Sequence, residues 1–240
     1  MTFVYTPAFL SDVDRVISRE RLSRYITATK GDLCEALGLY ESNIAISESL
    51  FGFLHGLEVA VRNSIHHTLS CDLATPTWYE GGCVLPWSTT GDTFSMTAVM
   101  TDMVSTAKAK LPPAALSGKV IAELTFGFWP TLLTKRFHSA LWIPSLQKAF
   151  PHANVPRSKI HLRLEVIRCL RNRIAHHEPV LTSHNEVYTG FKDQPYIALP
   201  SLLECVDWIS RDAAVWLKSQ SRYNWAVEML HDVSKKGIAL

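Results

Sequence analysis

The segment RNRIAHHEPV, residues 171–180, gathers the side chains of this sequence that are best suited to chemistry. It contains two histidines, and an imidazole is a side chain that can take or give a proton in a reaction. Its two arginines can bind phosphate oxygens through paired N–H groups. The segment, called the motif segment below, therefore predicts a site that acts on a phosphate-bearing substrate. Its candidate catalytic residues are Arg171, Asn172, His176 and His177.

The motif segment lies at the end of a helical pattern. Apolar residues recur every three or four positions before it, at Ile160, Leu164, Ile167, Leu170 and Ile174. Because Pro179 disfavours helical geometry at Glu178, the helix is predicted to end at about His176 or His177. A histidine at a helix C-terminus also interacts favourably with the helix dipole, so a structural role is the alternative for either histidine.

Arg171 and His176 point in different directions on a regular helix. At about 100° per residue, Arg171 lies about 40° from the apolar Ile167, whereas His176 lies about 140° from Arg171. A guanidinium beside a buried face requires an anion, either an internal carboxylate such as Glu58 or Glu165 or a substrate phosphate. Convergence of the two side chains on one phosphate requires a helix break or a second copy of the motif.

A dense basic run precedes the motif segment. Six cations and a single acid fall between positions 157 and 173, in a chain whose net charge is only +2. An anionic partner must therefore meet a local patch, and phosphate suits such a run. A basic helix face that is merely solvated is the alternative. The residues predicted to bind this phosphate-bearing partner are Arg157, Lys159, Arg163, Arg168 and Arg173.

An echo of the motif occurs earlier in the chain. RNSIHH, residues 62–67, repeats the Arg-Asn pair and places a histidine five positions after the arginine. Glu58 and Arg62 have the i,i+4 spacing of a helical ion pair, which predicts an internal structural pair. Alternatively, Arg62, Asn63 and His67 form a secondary motif.

The remaining patterns predict an all-α fold, in one domain over residues 1–240, with long middle loops. Strand-like alternation is absent from the sequence, and proline and glycine cluster at the breaks. The predicted helices cover residues 12–25, 31–50, 54–69, 160–174 and 202–217. The predicted breaks lie at residues 75–92, 112–113, 126–130, 151–156 and 179–200.

Several kinds of site are not expected. The adjacent histidines lack the i,i+4 spacing of a helical zinc pair, and neither a glycine-rich phosphate loop nor a Gly-x-Ser-x-Gly elbow is present. We therefore expect neither a metal nor a cofactor. The following tryptophans lie mostly among apolar residues and are predicted to be in the core rather than to stack on bases: Trp129, Trp142, Trp208, Trp216 and Trp225.

Composition favours a cytoplasmic protein without a membrane partner. The five cysteines are widely spaced, which argues against a disulfide scaffold. The first residues lack the basic and apolar regions of a signal peptide. The longest uncharged apolar stretch, residues 124–134, is too short to span a bilayer.

Four strings in order resemble a known family. They are LEVAVRN at residues 57–63, LTFGFWPTLL at 124–133, LW at 141–142 and LRNRIAHHEPV at 170–180. Together they resemble the Abi-like family, bacterial abortive-infection proteins of the AbiD/AbiF type within the HEPN superfamily. The resemblance implies a HEPN-like helical bundle, with additional helices, that acts as a homodimer. Arg171 and His176 match the invariant motif positions, Asn172 matches the polar position, and His177 fits the allowed spacing, so either histidine can be the catalytic one.

The resemblance also implies an activity. Such proteins are metal-independent, toxin-like endoribonucleases of antiphage defence, and some relatives are associated with a small structured RNA, an antitoxin-like or guide-like partner. The chemistry agrees with the residues, since an imidazole can take the proton of the RNA 2′-OH while arginine binds the scissile phosphate. The alternative is a non-catalytic all-α module that binds RNA through the same basic patch. A DNA-binding regulator is a more distant alternative, because no helix-turn-helix stands out.

Overall fold

The structure, a computed structural model, describes residues 5–182 and 186–235. It is 66% helical, which confirms the all-α prediction. The α-helices of the described residues are α1 (Pro7–Ile17), α2 (Arg19–Ala28), α3 (Leu33–Asp72), α4 (Ala98–Ala109), α5 (Ser117–Glu123), α6 (Phe128–Leu132), α7 (Arg157–Ala175), α8 (Leu199–Asp207), α9 (Arg211–Lys218) and α10 (Ser221–Lys235). Short 3₁₀ or π turns are Trp78–Glu80, Lys135–Phe137, His138–Trp142 and Leu146–Ala149.

The chain divides into two compact units. The first unit comprises Met1–Phe53, Cys169–Leu199 and Lys218–Leu240, and the second comprises Leu54–Arg168 and Pro200–Leu217. Both α3 and α7 contribute residues to each unit. A single domain over residues 1–240 stays a prediction.

Helix lengths differ from the sequence pattern at three places. The predicted helices at residues 31–50 and 54–69 are one continuous helix, the 40-residue α3. The predicted helix at residues 12–25 is divided at Ser18, whose φ of 76° ends α1 and whose hydroxyl accepts the Arg21 N–H that opens α2. The predicted helix at residues 202–217 is likewise two helices, α8 and α9.

One prediction about an irregular segment is wrong, and a second segment contains strands that the sequence did not predict. Residues 126–130 were expected to be a break, but α6 begins at Phe128 and accommodates Pro130 in its first turn, where the missing N–H costs little. The segment 179–200 contains a small antiparallel hairpin of β1 (Glu186–Tyr188) and β2 (Tyr196–Ala198). Each strand has only three residues, too few to show a period of two.

The core of the first unit holds the N-terminal helices together. Leu22 and Tyr25 of α2 pack with Ala36, Leu37 and Leu39 of α3, and all five are buried. Partly buried residues of α1 lie against the same cluster. Burial of an apolar stripe on each helix is what stabilises such short helices in a protein.

The core of the second unit is aromatic. Trp78, Phe94, Phe128 and Trp129 are all almost fully buried, and the Phe128 and Trp129 rings meet edge to face at 5.2 Å. Trp208 is also buried, which confirms the core prediction for it and for Trp129.

The core prediction fails for other tryptophans. Trp216 is 61% exposed and Trp225 is 50% exposed, while Trp142 is only partly buried. Each of them follows or precedes apolar residues in sequence, but helical periodicity turns it away from the buried stripe.

Among the described helices, α3 alone is long and apolar enough to cross a membrane, judged by length and composition. A core helix of a soluble protein passes the same test, and 39% of its most apolar window is buried. Cytoplasmic localisation stays a prediction.

Candidate active site

The motif segment begins in α7 and leaves it through a Schellman turn. The helix ends at Ala175, close to the predicted position. The His177 N–H donates to the Ile174 carbonyl at 3.0 Å, and the Glu178 N–H donates to the Arg173 carbonyl at 2.8 Å. His177 has a φ of 58°, the left-handed conformation that this turn requires and that glycine most often supplies. The turn therefore fixes the backbone immediately beyond the two histidines.

Both motif histidines are exposed to solvent. The His176 N–H still donates to the Asn172 carbonyl at 2.9 Å, as in a regular helix. No helix break separates Arg171 from His176, so the divergence of about 140° expected for a regular helix persists. Arg171 is partly buried and has an interaction with the rest of the protein. The described geometry brings these residues onto one helix end without turning them towards each other.

Arg173 has a structural role that the sequence analysis did not predict. Its Nε and Nη2 atoms donate to the Pro179 carbonyl at 3.2 and 3.0 Å, and its Nη1 atom lies 2.8 Å from Glu178 Oε2. The guanidinium also lies over the Tyr188 ring, 4.6 Å from its centroid, and the side chain is only 16% exposed. Arg173 therefore holds the chain that follows α7 in place, and its assignment to RNA binding stays a prediction.

Further cations of the basic run are also used internally. Arg163 is 9% exposed, and its Nη2 atom lies 3.0 Å from Glu204 Oε2. Arg168 pairs with Glu165 one helical turn earlier, at 2.7 Å. These ion pairs belong to the second unit. A cation that neutralises a protein carboxylate has less charge to offer a phosphate, and the RNA-binding role of these residues stays a prediction.

The first two cations of the basic run, Arg157 and Lys159, differ from each other in burial. Arg157 is partly buried, and its Nη1 atom donates to the Leu133 carbonyl. Lys159 is exposed. Of the five residues predicted to bind RNA, Lys159 is the one that the structure presents most openly to solvent.

Two arginines beside the motif segment were missed by the sequence analysis. Arg21 of α2 donates from Nη1 to the His177 carbonyl at 2.7 Å, and both Arg21 and Arg24 are exposed. They line a cavity of about 400 Å³ together with Pro179. The two partners Arg21 and His177 are 156 positions apart, so no local pattern could have connected them.

Asn43 holds the motif segment from within the first unit. It is 3% exposed, and its Oδ1 atom accepts the Val180 N–H at 2.8 Å. A buried amide oxygen with a backbone partner satisfies both polar groups, so the bond fixes where the chain passes after Pro179.

An apolar groove of about 580 Å³ adjoins the same helix end. It is lined by α3 residues, including Tyr40, Ile44 and Phe51, and by Ile174 and His177. Ile44 is 51% exposed and Phe51 is 50% exposed. His177 therefore lies between this apolar groove and the arginine-lined cavity.

The echo segment, residues 62–67 in α3, differs from the motif segment in its side-chain contacts. The Nε atom of Arg62 is buried without a hydrogen-bond partner in the described structure, and the Glu58–Arg62 pair stays a prediction. Asn63 and His67 are exposed. His67 contacts only Cys71 Sγ, at 3.8 Å, among the contacts described for it.

His66, rather than His67, is the partly buried histidine of the echo. Its Nδ1 atom accepts the Trp78 Nε1–H at 3.1 Å. Burial lowers the pKa of His66 below the ordinary 6.5, and the charge of neighbouring His67 lowers it further. The neutral ring that accepts from Trp78 is consistent with a structural function in the second unit.

Within residues 5–182 and 186–235, no group of three or more His, Cys, Asp or Glu side chains could hold a metal ion. His184, expected to lie outside the motif and to be dispensable, falls outside the described residues.

No family model matches the chain, and neither a curated protein nor a solved structure gives a significant match. The family resemblance therefore depends on the four sequence strings alone.

Proposed function

We propose that the protein is a metal-independent endoribonuclease of the HEPN type, acting in the cytoplasm as a toxin-like abortive-infection protein. The observation that carries the proposal is the helix end of α7. Two exposed histidines lie there beside the partly buried Arg171, next to a cavity with two exposed arginines. Ionisable imidazoles together with guanidinium groups are suited to phosphodiester chemistry.

The proposed reaction uses the nucleophile that RNA itself carries. His176, or His177 in its place, takes the proton of the 2′-OH as the oxygen attacks the adjacent phosphorus. The bond to the 5′-oxygen breaks, and the leaving oxygen receives a proton from a second imidazole or from water. Arg171 offsets the charge on the phosphate oxygens, and Asn172 orients His176 or binds a phosphate oxygen. The products carry a 2′,3′-cyclic phosphate and a 5′-OH.

The structure suggests which cations bind the RNA strand near this site. Arg163 and Arg173 are occupied by carboxylates of the protein, whereas Arg21 and Arg24 are exposed beside the motif segment. We therefore assign the flanking phosphates to Arg21 and Arg24. Lys159, which is exposed, and the partly buried Arg157 and Arg168 remain candidates for binding a more distant part of the RNA strand.

A homodimer is part of the proposal for two reasons. Arg171 and His176 diverge on one helix, so a second copy is needed to complete a phosphate site. The groove beside His177 exposes Ile44 and Phe51, apolar side chains that a second copy would cover. By the resemblance, a small structured RNA would restrain this dimer.

A non-catalytic RNA-binding module is the second candidate. The observation that favours it is the structural use of the motif segment. Arg173 binds the Pro179 carbonyl, and His177 supplies the left-handed residue of the Schellman turn. If the motif segment serves only to form this turn, the protein would bind RNA through Arg21 and Arg24 without cutting it.

Cleavage and binding assays distinguish the two candidates. Purified protein is incubated with labelled RNA in excess EDTA, and products are tested for cyclic phosphate ends. The His176→Ala and Arg171→Ala variants are expected to lose cleavage while RNA binding persists. His231→Ala, which removes a histidine that is 56% exposed, is the matched control and should cleave normally. Cleavage that requires added metal would refute the proposed reaction, and binding without any cleavage would support the second candidate.

A further inference from the structure

A second cavity, of about 410 Å³, lies within the second unit and combines aromatic with basic groups. Its lining includes Trp142, Gln147, Lys148, Phe150, Pro156 and Arg157. Its volume is in the range of pockets that hold small ligands. No residue of the motif segment contributes to it.

The arginine of this cavity is partly fixed in position. Arg157 Nη1 donates to the Leu133 carbonyl, while the Nε atom is buried without a hydrogen-bond partner in the described structure. With Nη1 bound to the protein and Nε buried, Nη2 is the nitrogen left to donate to a ligand, and phosphate oxygens are acceptors that suit a guanidinium donor.

A second cation lies on the same lining. Lys148 has a side chain that is 58% exposed, and its Nζ atom lies 2.8 Å from Asp72 Oδ2. Because one carboxylate accompanies the two cations, the cavity keeps a net positive charge. The balance suits an anion of low charge, such as a phosphate monoester or diester.

The start of α7 adds to this positive character. Pro156 immediately precedes the helix and lines the cavity, and it has neither an N–H group nor a capping side chain. Pro156 therefore offers the amides of the first turn of this 19-residue helix no side-chain acceptor, although the Lys159 N–H donates to the Pro156 carbonyl at 2.9 Å. A helix N-terminus carries partial positive charge and favours an anion beside it.

The aromatic part of the lining suits a nucleobase. Trp142 is partly exposed, and its ring lies 6.2 Å from that of the buried Phe150. Phe150 thereby supports an indole whose remaining surface is open to a ligand. Bases stack on such rings with little dependence on sequence.

We propose that this cavity binds a nucleoside 5′-phosphate, with the base on Trp142 and the phosphate between Arg157, Lys148 and the first turn of α7. The same chemistry is found in a free mononucleotide and at the 5′ end of an RNA strand. This site is separate from the proposed cleavage reaction and does not depend on it.

Calorimetric titration tests the proposal with five probes: AMP, adenosine, inorganic phosphate, and a six-nucleotide oligoadenylate either with or without a 5′-phosphate. The His176→Ala protein is used for the oligonucleotides so that cleavage cannot consume them. AMP is expected to bind more tightly than adenosine or phosphate alone. Preference for AMP over the 5′-phosphorylated strand identifies a free nucleotide as the ligand, and the reverse preference identifies an RNA end.

Variants assign the binding to this cavity. Trp142→Ala and Lys148→Met are each expected to weaken AMP binding about 10-fold or more. Trp216→Ala and Lys110→Met are matched controls, since Trp216 is 61% exposed and Lys110 is a 57% exposed lysine paired with Glu123. Circular dichroism confirms that each variant is folded. Absent binding of AMP and of both strands, or binding that the cavity variants and the controls change equally, would overturn the proposal.

Discussion

Replacing His177 with glycine is expected to stabilise the protein. His177 adopts a φ of 58° at the position of the Schellman turn where glycine is most common. An L-residue in this conformation costs about 1–2 kcal/mol, with histidine near the lower end because it tolerates the region better than most residues. Glycine removes that cost.

Glycine also adds freedom to the unfolded chain, which offsets the gain by about 0.4–1 kcal/mol. The net expectation is a gain of about 0.5 kcal/mol in the free energy of unfolding. For a chain of this length, that corresponds to a rise in Tm of roughly 1–2 °C. The Arg21 bond to the His177 carbonyl persists, since it involves only backbone at position 177.

Urea unfolding followed by circular dichroism measures the difference, with His176→Gly as the matched control. His176 is in a helical hydrogen bond and is not among the described residues with positive φ, so glycine there should lower stability by about 0.5–1 kcal/mol. Opposite signs for the two variants are the expected result. If His177→Gly destabilises as much as His176→Gly, the left-handed turn is not present in solution. The same pair, assayed for RNA cleavage, shows which histidine the chemistry needs.

Four further outcomes are expected. Arg173→Met should lower the free energy of unfolding by about 1–3 kcal/mol in urea titrations, because the Pro179 carbonyl and Glu178 lose their buried partner. A change within experimental error would show that the guanidinium does not stabilise this segment. The contribution of His66 to stability should be constant above pH 6.5 and fall as the pH drops below it, because the pKa of folded His66 is lowered and its protonation breaks the Trp78 bond. His66→Gln should reduce this dependence of the free energy of unfolding on pH, and an unchanged dependence would assign it to other groups. Arg21→Ala with Arg24→Ala should weaken RNA binding and reduce its salt dependence in fluorescence anisotropy; undiminished binding would place the strand elsewhere. Phe51→Glu should convert a homodimer to a monomer in light scattering and reduce cleavage, whereas an active monomeric wild type would exclude the dimer.

The sequence predicts helices where one apolar stripe continues over several turns. Residues 160–174 and 54–69 show such stripes, and both lie in helices as expected. The division at Ser18 was missed because it depends on one backbone conformation, a φ of 76°, that the surrounding pattern does not reveal. Periodicity reports which face is buried, and it is less informative about where a helix is interrupted.

The side-chain partners of the candidate site were harder to predict than its helix. Arg163 reads as part of a basic run, yet its partner Glu204 lies 41 positions later in the chain. Arg173 reads in the same way, and its three partners include Tyr188 from a hairpin that the sequence did not show. A charge pattern along a helix shows how many cations it carries, but only the tertiary structure shows which of them pair with a carboxylate of the protein.

The bond between Asn43 and Val180 joins positions that are 137 residues apart. With the Arg21 bond to His177, it means that the motif turn is secured only after a long stretch of chain has been synthesised and closed into a loop. A nascent chain that ends before residue 180 would hold α2 and α3 without the segment that they secure. For a protein proposed to cut cellular RNA, this order of assembly would delay the finished site until residue 180 has been synthesised, so fragments that end earlier would lack it.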